Sequence, residues 1–241
     1  MRPEEDIRKR IRNPYKFSEV FYSMGEIISL IGVNKSFGKK DVLKNINFSI
    51  NTGDIIGLVG KSGSGKSILI KTIIGFLKPD SGDIILTNPE KKINFSMQGN
   101  SIYDYLTVKQ NFVYFAKMYG LKRKERKKVI EEIINELDLK DFEDVIVKNL
   151  SGGTQKRVDI GCALLNDPEL IVMDEPFLGL DPELVNKLGA TIIRLNRAGK
   201  TLLISSHDIG ILGKICKQFA SIRNGNLSLI KKEQIGYSYT K

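Results

Sequence analysis

Gly60-Lys61-Ser62-Gly63-Ser64-Gly65-Lys66-Ser67 follows the apolar run Ile55 to Val59 and precedes residues 67 to 77, where Ile68, Leu69, Thr72 and Ile73 fall on nearby faces of a helix. A strand, a glycine-rich turn and a helix in that order match the pattern G-x-x-x-x-G-K-[ST] in its proper context and predict an α/β fold. Small residues let successive backbone N–H groups curl around a phosphate without Cβ obstruction. The helix N-terminus adds positive partial charge. Lys66 supplies a full charge to the β- and γ-phosphates, and the Ser67 hydroxyl suits Mg²⁺, which prefers oxygen ligands. The loop therefore predicts a nucleoside triphosphate site and leaves kinase, GTPase and motor chemistry open.

A second stretch narrows the choice. Leu170-Ile171-Val172-Met173 is a continuous apolar run that ends in Asp174-Glu175. Such a run reads as a parallel strand buried on both faces, and acids at its carboxyl end lie where open α/β sheets bind ligands. Asp174 can hold Mg²⁺ through water, and Glu175 is placed to act as general base on an attacking water. A GTPase would need N-K-x-D after the loop. Asn186-Lys187 lacks the Asp and Asn34-Lys35 lies before the loop, so that reading falls.

Around these two stretches the chain divides. Residues 1–24 are charged and basic, with Arg8, Lys9, Arg10 and Arg12 together, and are expected to form a loosely attached arm. Residues 25–235 are expected to form one nucleotide-binding domain and 236–241 a tail. Ile27 to Val33, Ile46 to Ile50 and Ile84 to Leu86 read as strands. About 100–155 read as an inserted helical block. Thr107 and Gln110 suit a capping box, Phe112, Phe115, Ala116 and Tyr119 share one helical face, and Val129, Ile130, Ile133, Ile134 and Leu137 share another. Asp181-Pro182 predicts a helix to Ala198, Thr201 to Ser205 a strand, and Asn224-Gly225 the turn of a hairpin.

Composition sets outer limits. The 241 residues are 41% hydrophobic and 27% charged, enough for a core. Lys and Arg exceed Asp and Glu by 38 to 28, so the +10 charge permits contact with nucleic acid, anionic lipid or phosphate. Two cysteines, Cys162 and Cys216, give no disulfide framework or zinc site. A single histidine, His207, excludes chemistry that needs two. No uncharged apolar run is long enough to span a bilayer, and the chain reads as soluble and cytoplasmic.

Leu150-Ser151-Gly152-Gly153-Thr154-Gln155 lies between the phosphate loop and the Asp174-Glu175 strand. With it, the chain resembles the ATP-binding subunits of ABC transporters over about residues 26 to 230. The resemblance implies a RecA-like P-loop NTPase core with a small antiparallel β subdomain and an inserted α-helical subdomain. It implies ATP and Mg²⁺ as ligands. Phe37 matches the aromatic that stacks on adenine, and Gln98 the glutamine that senses Mg²⁺ and water and couples to the membrane subunit. Ser151, Gly152 and Gly153 match the signature that caps the γ-phosphate of a partner protomer. Asp181 matches the D-loop, and His207, in Ser205-Ser206-His207-Asp208, the switch histidine. Thr154, Leu178 and Gly99 depart from the common residues, and Asp144 to Asn149 lacks a Gly-Glu feature of many fused drug exporters. None of these departures removes a catalytic group.

The resemblance further implies two copies, or one copy and a paralogue, that sandwich two ATP molecules. Separate transmembrane permease subunits would dock near Phe95 to Tyr105 and the aromatic face at Phe112, with the chain peripheral on the cytoplasmic face of the membrane. Leu106 to Phe112, then Phe115-Ala116 and Tyr119-Gly120-Leu121, resemble the branch that serves ABC-2-type exporters. Lys122 to Lys128 hold six basic residues, which read as a solvated face or a contact for lipid headgroups. A soluble ABC ATPase acting on nucleic acid or ribosomes is the alternative. It is disfavoured because the chain has one such domain and no sustained heptads.

Overall fold

A computed structural model describes residues 16–17, 25–88, 92–97, 99 and 101–234. In chain order the strands are β1 (Lys16–Phe17), β2 (Glu26–Phe37), β3 (Lys40–Asn51), β4 (Ile55–Val59), β5 (Ser81–Leu86), β6 (Ile93–Ser96), β7 (Leu170–Asp174), β8 (Thr201–Ser206), β9 (Gln218–Arg223) and β10 (Asn226–Ile230). The helices are α1 (Lys66–Ile73), α2 (Val108–Met118), α3 (Arg123–Glu136), α4 (Gly152–Leu164), α5 (Pro182–Arg197) and α6 (Ile209–Ile215). One sheet runs β1-β5-β2-β3, with β5, β2 and β3 antiparallel and β1 parallel to β5. The other runs β10-β9-β4-β8-β7-β6 and is parallel except for β10. This is the expected P-loop core with its small antiparallel sheet. Of residues 1–24, Lys16–Phe17 pair with Ile85 and Leu86. The rest of the expected arm, and the tail 236–241, lie outside the described residues.

The strand pattern explains the layering. Side chains alternate along a strand, and the parallel strands are apolar on both faces. Ile55 and Val59, Ile171 and Met173, Leu202 and Ile204 face one core, shared with Phe112, Ile133, Leu137 and Leu188 of the helices. Ile56 and Leu58, Leu170 and Val172, and Leu203 face the other, shared with Leu69 and Ile73 of α1 and with β2 and β3. The parallel sheet is therefore held rigid from both sides, and its carboxyl edge is left to carry polar residues.

The helical block builds as its sequence demands. Thr107 Oγ1 accepts from Gln110 N at 3.1 Å, and Thr107 N donates to Gln110 Oε1 at 2.9 Å, the reciprocal capping box. Phe112 and Ala116 are fully buried, while Phe115 and Tyr119 pack partly buried against the same core. Gly161 is where α4 meets this packing: a Cβ there would lie 2.6 Å from Phe112 Cζ. Glu125, in the first turn of the basic helix α3, accepts from Lys122 N at 3.0 Å and offsets the cations around it.

Some boundaries differ from the sequence reading. β2 and β3 each run 12 residues, because polar residues continue both strands beyond their apolar centres. The helix expected over 67 to 77 ends at Ile73, and Gly75 at φ 81 turns the chain away. β6 and α6 are additional elements, both short. Asn224 and Gly225, at φ 49 and 84, form the expected hairpin turn.

Two outcomes follow from the packing. Valine at Gly161 must displace Phe112 or Leu137, and overpacking of this kind should cost about 1–3 kcal/mol in chemical denaturation. Cys162 and Cys216 are buried free thiols. Burial pushes the Cys162 thiol well up and raises Cys216 from 9.0 to about 12. The thiolate is the reactive form, so an alkylating reagent at pH 8 should leave both unlabelled until the protein unfolds. The unfolded chain also releases the Cys216 proton first, so this group's contribution to stability is full below about pH 9 and declines toward about pH 12.

Candidate active site

Register sets the site. Val59 pairs with Ser206, and Ser205 pairs with Asp174. The residues that follow, Gly60, His207 and Glu175, therefore leave the sheet at one level. Gly65 takes φ 110 directly before α1, a conformation that suits only glycine. A Cβ on Gly65 would also lie 3.1 Å from Val42 O. The loop can thus turn tightly and aim the first N–H groups of α1 into the cleft.

Lys66 is 7% exposed. Its Nζ donates to Gly60 O at 2.8 Å and lies 3.4 Å from Glu175 Oε1. The other oxygen of that carboxylate, Oε2, is 3.0 Å from His207 Nδ1 and accepts from His207 N at 3.3 Å. Glu175 sits at φ 49, a left-handed conformation that is uncommon for a residue with a side chain. Its N–H donates to Ser205 Oγ at 2.9 Å, and Ser205 Oγ donates to Asp174 Oδ1 at 2.5 Å. Asp174 is 1% exposed. Ser205, which the sequence reading did not single out, thus ties the two acids to β8. Its place opposite Asp174 follows only from strand register.

These groups open into a cleft of about 640 Å³ lined by Phe37, Lys40, Ser62, Gly63, Gly65, Lys66, Ser67, Glu175, Leu178 and His207. Lys35 Nζ lies 5.6 Å from the centre of the half-exposed Phe37 ring. The structure therefore brings together Phe37, the glycine-rich loop, Ser67, Glu175 and His207, with Asp174 buried directly behind. Leu178, a departure at the sequence level, forms part of the wall.

The donor set suits a nucleoside triphosphate with a hard cation. A buried ammonium and free N–H groups meet phosphate, and the Ser67 hydroxyl and Asp174 carboxylate are oxygen ligands. Among the described residues no cluster of three or more His, Cys, Asp and Glu forms a separate metal site.

Ser151, Gly152 and Gly153 do not line this cleft. Ser151 caps α4: its Oγ accepts from Thr154 N at 3.3 Å and lies 3.0 Å from Thr154 Oγ1. Thr154 in turn accepts from Arg157 Nη2 at 3.2 Å. The substituted threonine is therefore part of the cap. A Cβ on Gly153 would meet Leu184 at 2.9 Å, so this turn packs against α5. Asp181 caps α5, its Oδ1 accepting from Leu184 N at 2.9 Å. Gln98 lies outside the described residues.

Comparison with known proteins identifies the family. A family model described as "ABC transporter" matches residues 43–178. The linearmycin resistance ATP-binding protein LnrL of Bacillus subtilis is 34% identical over 207 residues, which is 82% of this chain and 67% of that protein. The Nod factor export ATP-binding protein I of Sinorhizobium fredii is 32% identical over 207 residues, 82% of this chain and 60% of that protein. The chain thus spans about two thirds or less of the length of these two relatives. Among solved structures, cbiO1 of Clostridium perfringens, part of an ABC transporter complex, superposes with a TM-score of 0.80 at 26% identity, covering 89% of this chain and 92% of that one. A nucleotide-free ATP-binding cassette from an ABC transporter superposes at 0.77 with 28% identity, covering 88% and 94%. With the family model spanning residues 43–178 and the same fold in solved cassettes, the chain belongs to the ABC transporter family as an ATP-binding, ATP-hydrolysing cassette.

Proposed function

We propose that this chain hydrolyses ATP at the Lys66–Glu175–His207 cleft to drive export through separate membrane subunits. The observation that carries the chemistry is the convergence of Lys66 Nζ and His207 Nδ1 on the two oxygens of one carboxylate, at 3.4 and 3.0 Å. The loop N–H groups and Lys66 bind the phosphates and balance their charge. Glu175 takes a proton from the water that attacks the γ-phosphorus, and the bond to the β–γ bridging oxygen breaks to release ADP. His207 holds Glu175 in line and faces the γ-phosphate. Phe37 offers a ring face to adenine. Ser67, Asp174 and Gln98 are the residues that would hold Mg²⁺, which, when bound, neutralises charge on the phosphates.

The Ser151 turn is the other half of the machine. It presents a serine cap and the free N–H groups of a 13-residue helix away from its own cleft. In this reading it closes over the γ-phosphate held by a second copy or a paralogue, and γ-phosphate supplies the differential affinity that closes the pair. The domain assignment stands in the same reading: a basic arm over 1–24, the ATPase unit over 25–235 with its helical block at about 100–155, and a tail.

Among the described residues no helix is long and apolar enough to cross a membrane, and in this reading separate membrane subunits supply the path. The docking surface is the outer face of the helical block. Phe112 belongs to the core, but Tyr103, Tyr105, Tyr114, Met118 and Ile146 are exposed. Tyr103 and Tyr114 stack edge to face at 4.7 Å and share a hydrogen bond. Aromatic and methionine side chains grouped in this way favour a protein interface. The relatives serve linearmycin resistance and Nod factor export, which supports the export direction. They also speak against a nucleic-acid ATPase, and the chain would work at the cytoplasmic face of the membrane.

Glu175→Gln should retain ATP binding and lose about 10²–10⁴-fold in kcat, the usual range for a general base. Lys66→Ala should lose ATP binding itself, measured by calorimetry. The tagged Glu175→Gln protein, purified from native membranes with ATP, should carry a stoichiometric polytopic membrane protein. Full turnover by Glu175→Gln would refute the base assignment, and recovery with ribosomes or nucleic acid alone would refute the transport reading.

A further inference from the structure

The aromatic ring at the mouth of the cleft is held by a carboxylate that does not line the cleft. Phe37 is the last residue of β2, and the strand pairing becomes irregular before it is reached. β2 last pairs with β5 at Asn34 and Ser81, and its register with β3 shifts between Val33 and Lys35 and again between Lys35 and Ser36. Asp80, the residue before β5, takes over at this point. Its Oδ1 accepts from Lys35 Nζ at 2.6 Å, and its Oδ2 accepts from Ser36 N at 2.7 Å. Its own N–H donates to Asn34 O at 2.9 Å. The three residues directly before Phe37 are thus all bonded to Asp80.

Lys35 carries this hold to the ring itself. Its Nζ lies 5.6 Å from the centre of the Phe37 ring, within the range of a cation–π contact. Phe37 lines the nucleotide cleft and Lys35 does not. The ammonium therefore occupies the side of the ring away from the cleft and leaves the other side open. Hydrogen bonds from Lys35 and from the Ser36 N–H hold the Asp80 carboxyl below its ordinary range, so it is an anion at neutral pH. The pair is partly open to water, with side chains 16% and 46% exposed, and an ion pair of that kind adds little stability. What it does fix is the backbone that enters Phe37 and the cation that backs its ring. A ring at the half-exposed tip of a strand has few apolar neighbours to hold it, so these polar contacts decide where it stands.

We propose that Asp80 and Lys35 are positioning residues that set the Phe37 ring as a platform for adenine. Asp80 anchors the strand end through Ser36 N, and Lys35, held by the same carboxylate, backs the ring. The proposal rests on the role given to Phe37 under the proposed function.

The test separates the base from the phosphates. Asp80→Ala should weaken ATP binding about fivefold, part of what stacking a base on an aromatic ring contributes, read by calorimetry in the Glu175→Gln background. Inorganic tripolyphosphate, which can fill the phosphate loop and has no base, should bind with unchanged affinity. With Glu175 restored, KM for ATP should rise while kcat at saturating ATP holds, the split expected when only ground-state binding is lost. Asp80→Asn keeps an acceptor for the Ser36 N–H and should recover most of the affinity. Lys35→Met leaves the turn at Asp80 untouched, should fold whatever Asp80→Ala does, and should weaken ATP about twofold, as loss of an exposed cation–π contact would. In a Phe37→Ala background neither change should weaken ATP further, because groups that act through one another are not additive. Unchanged ATP affinity in Asp80→Ala and Lys35→Met, an equal loss of tripolyphosphate binding, or a full additional loss on top of Phe37→Ala would overturn the proposal. If Phe37→Ala alone keeps full ATP affinity, the role of Phe37 fails, and the positioning role falls with it for that separate reason.

Discussion

Val59 pairs with Ser206 and Ser205 with Asp174, and this register brings Gly60, Glu175 and His207 to the same end of the parallel sheet. The constraint is enforced by burial on both faces. A slip of one residue in β7 would send Ile171 and Met173 into the wrong core and turn Asp174 away from Ser205. The apolar strands thus fix the polar ones, and a shift too small to unfold the sheet would still separate Glu175 from Lys66. The Lys66–Glu175 contact is the electrostatic counterpart of that register. Two charges that are costly to bury singly offset each other in a cleft shaped for a third, the phosphate.

The chemistry was legible where it is local. The Gly60–Ser67 loop depends on backbone conformation and on the next helix, both set by neighbouring residues, and it was read with its flanks. Asp174 and Glu175 were read because a doubly buried strand has an unmistakable apolar run. Ser205 was not, since its value comes from lying opposite Asp174 across two strands. The same holds for Lys156 and Asp159, three apart on α4, which are buried and bonded to the backbone of Met97 and Ser101 across the fold. Asn111 escaped for a related reason, as a polar residue beside the Phe112 face whose partners are the backbone of the preceding loop.

The helical block is joined to the nucleotide core by more than chain connectivity. Phe112, Ile133 and Leu137 share a core with Ile171, Ile204 and Phe219 of the sheet, so the block cannot tilt freely. Its apolar floor is continuous with the layer beneath the active site, whereas its outer face bears the tyrosines proposed to meet a membrane subunit. Between them, Ser96, Met97 and Ser101 are hydrogen-bonded to α4, and Tyr103 to α2.

In the proposed mechanism each cleft is half of a site, completed by the Ser151 turn of another chain. The direct measurement is a cross-link between two populations in the Glu175→Gln background, one with Ser62→Cys and the other with Ser151→Cys. The native cysteines are buried and should not interfere. A disulfide between chains should form rapidly with ATP and Mg²⁺ and not with ADP or without nucleotide. Cross-linking indifferent to nucleotide, or none while ATP is demonstrably bound, would contradict it.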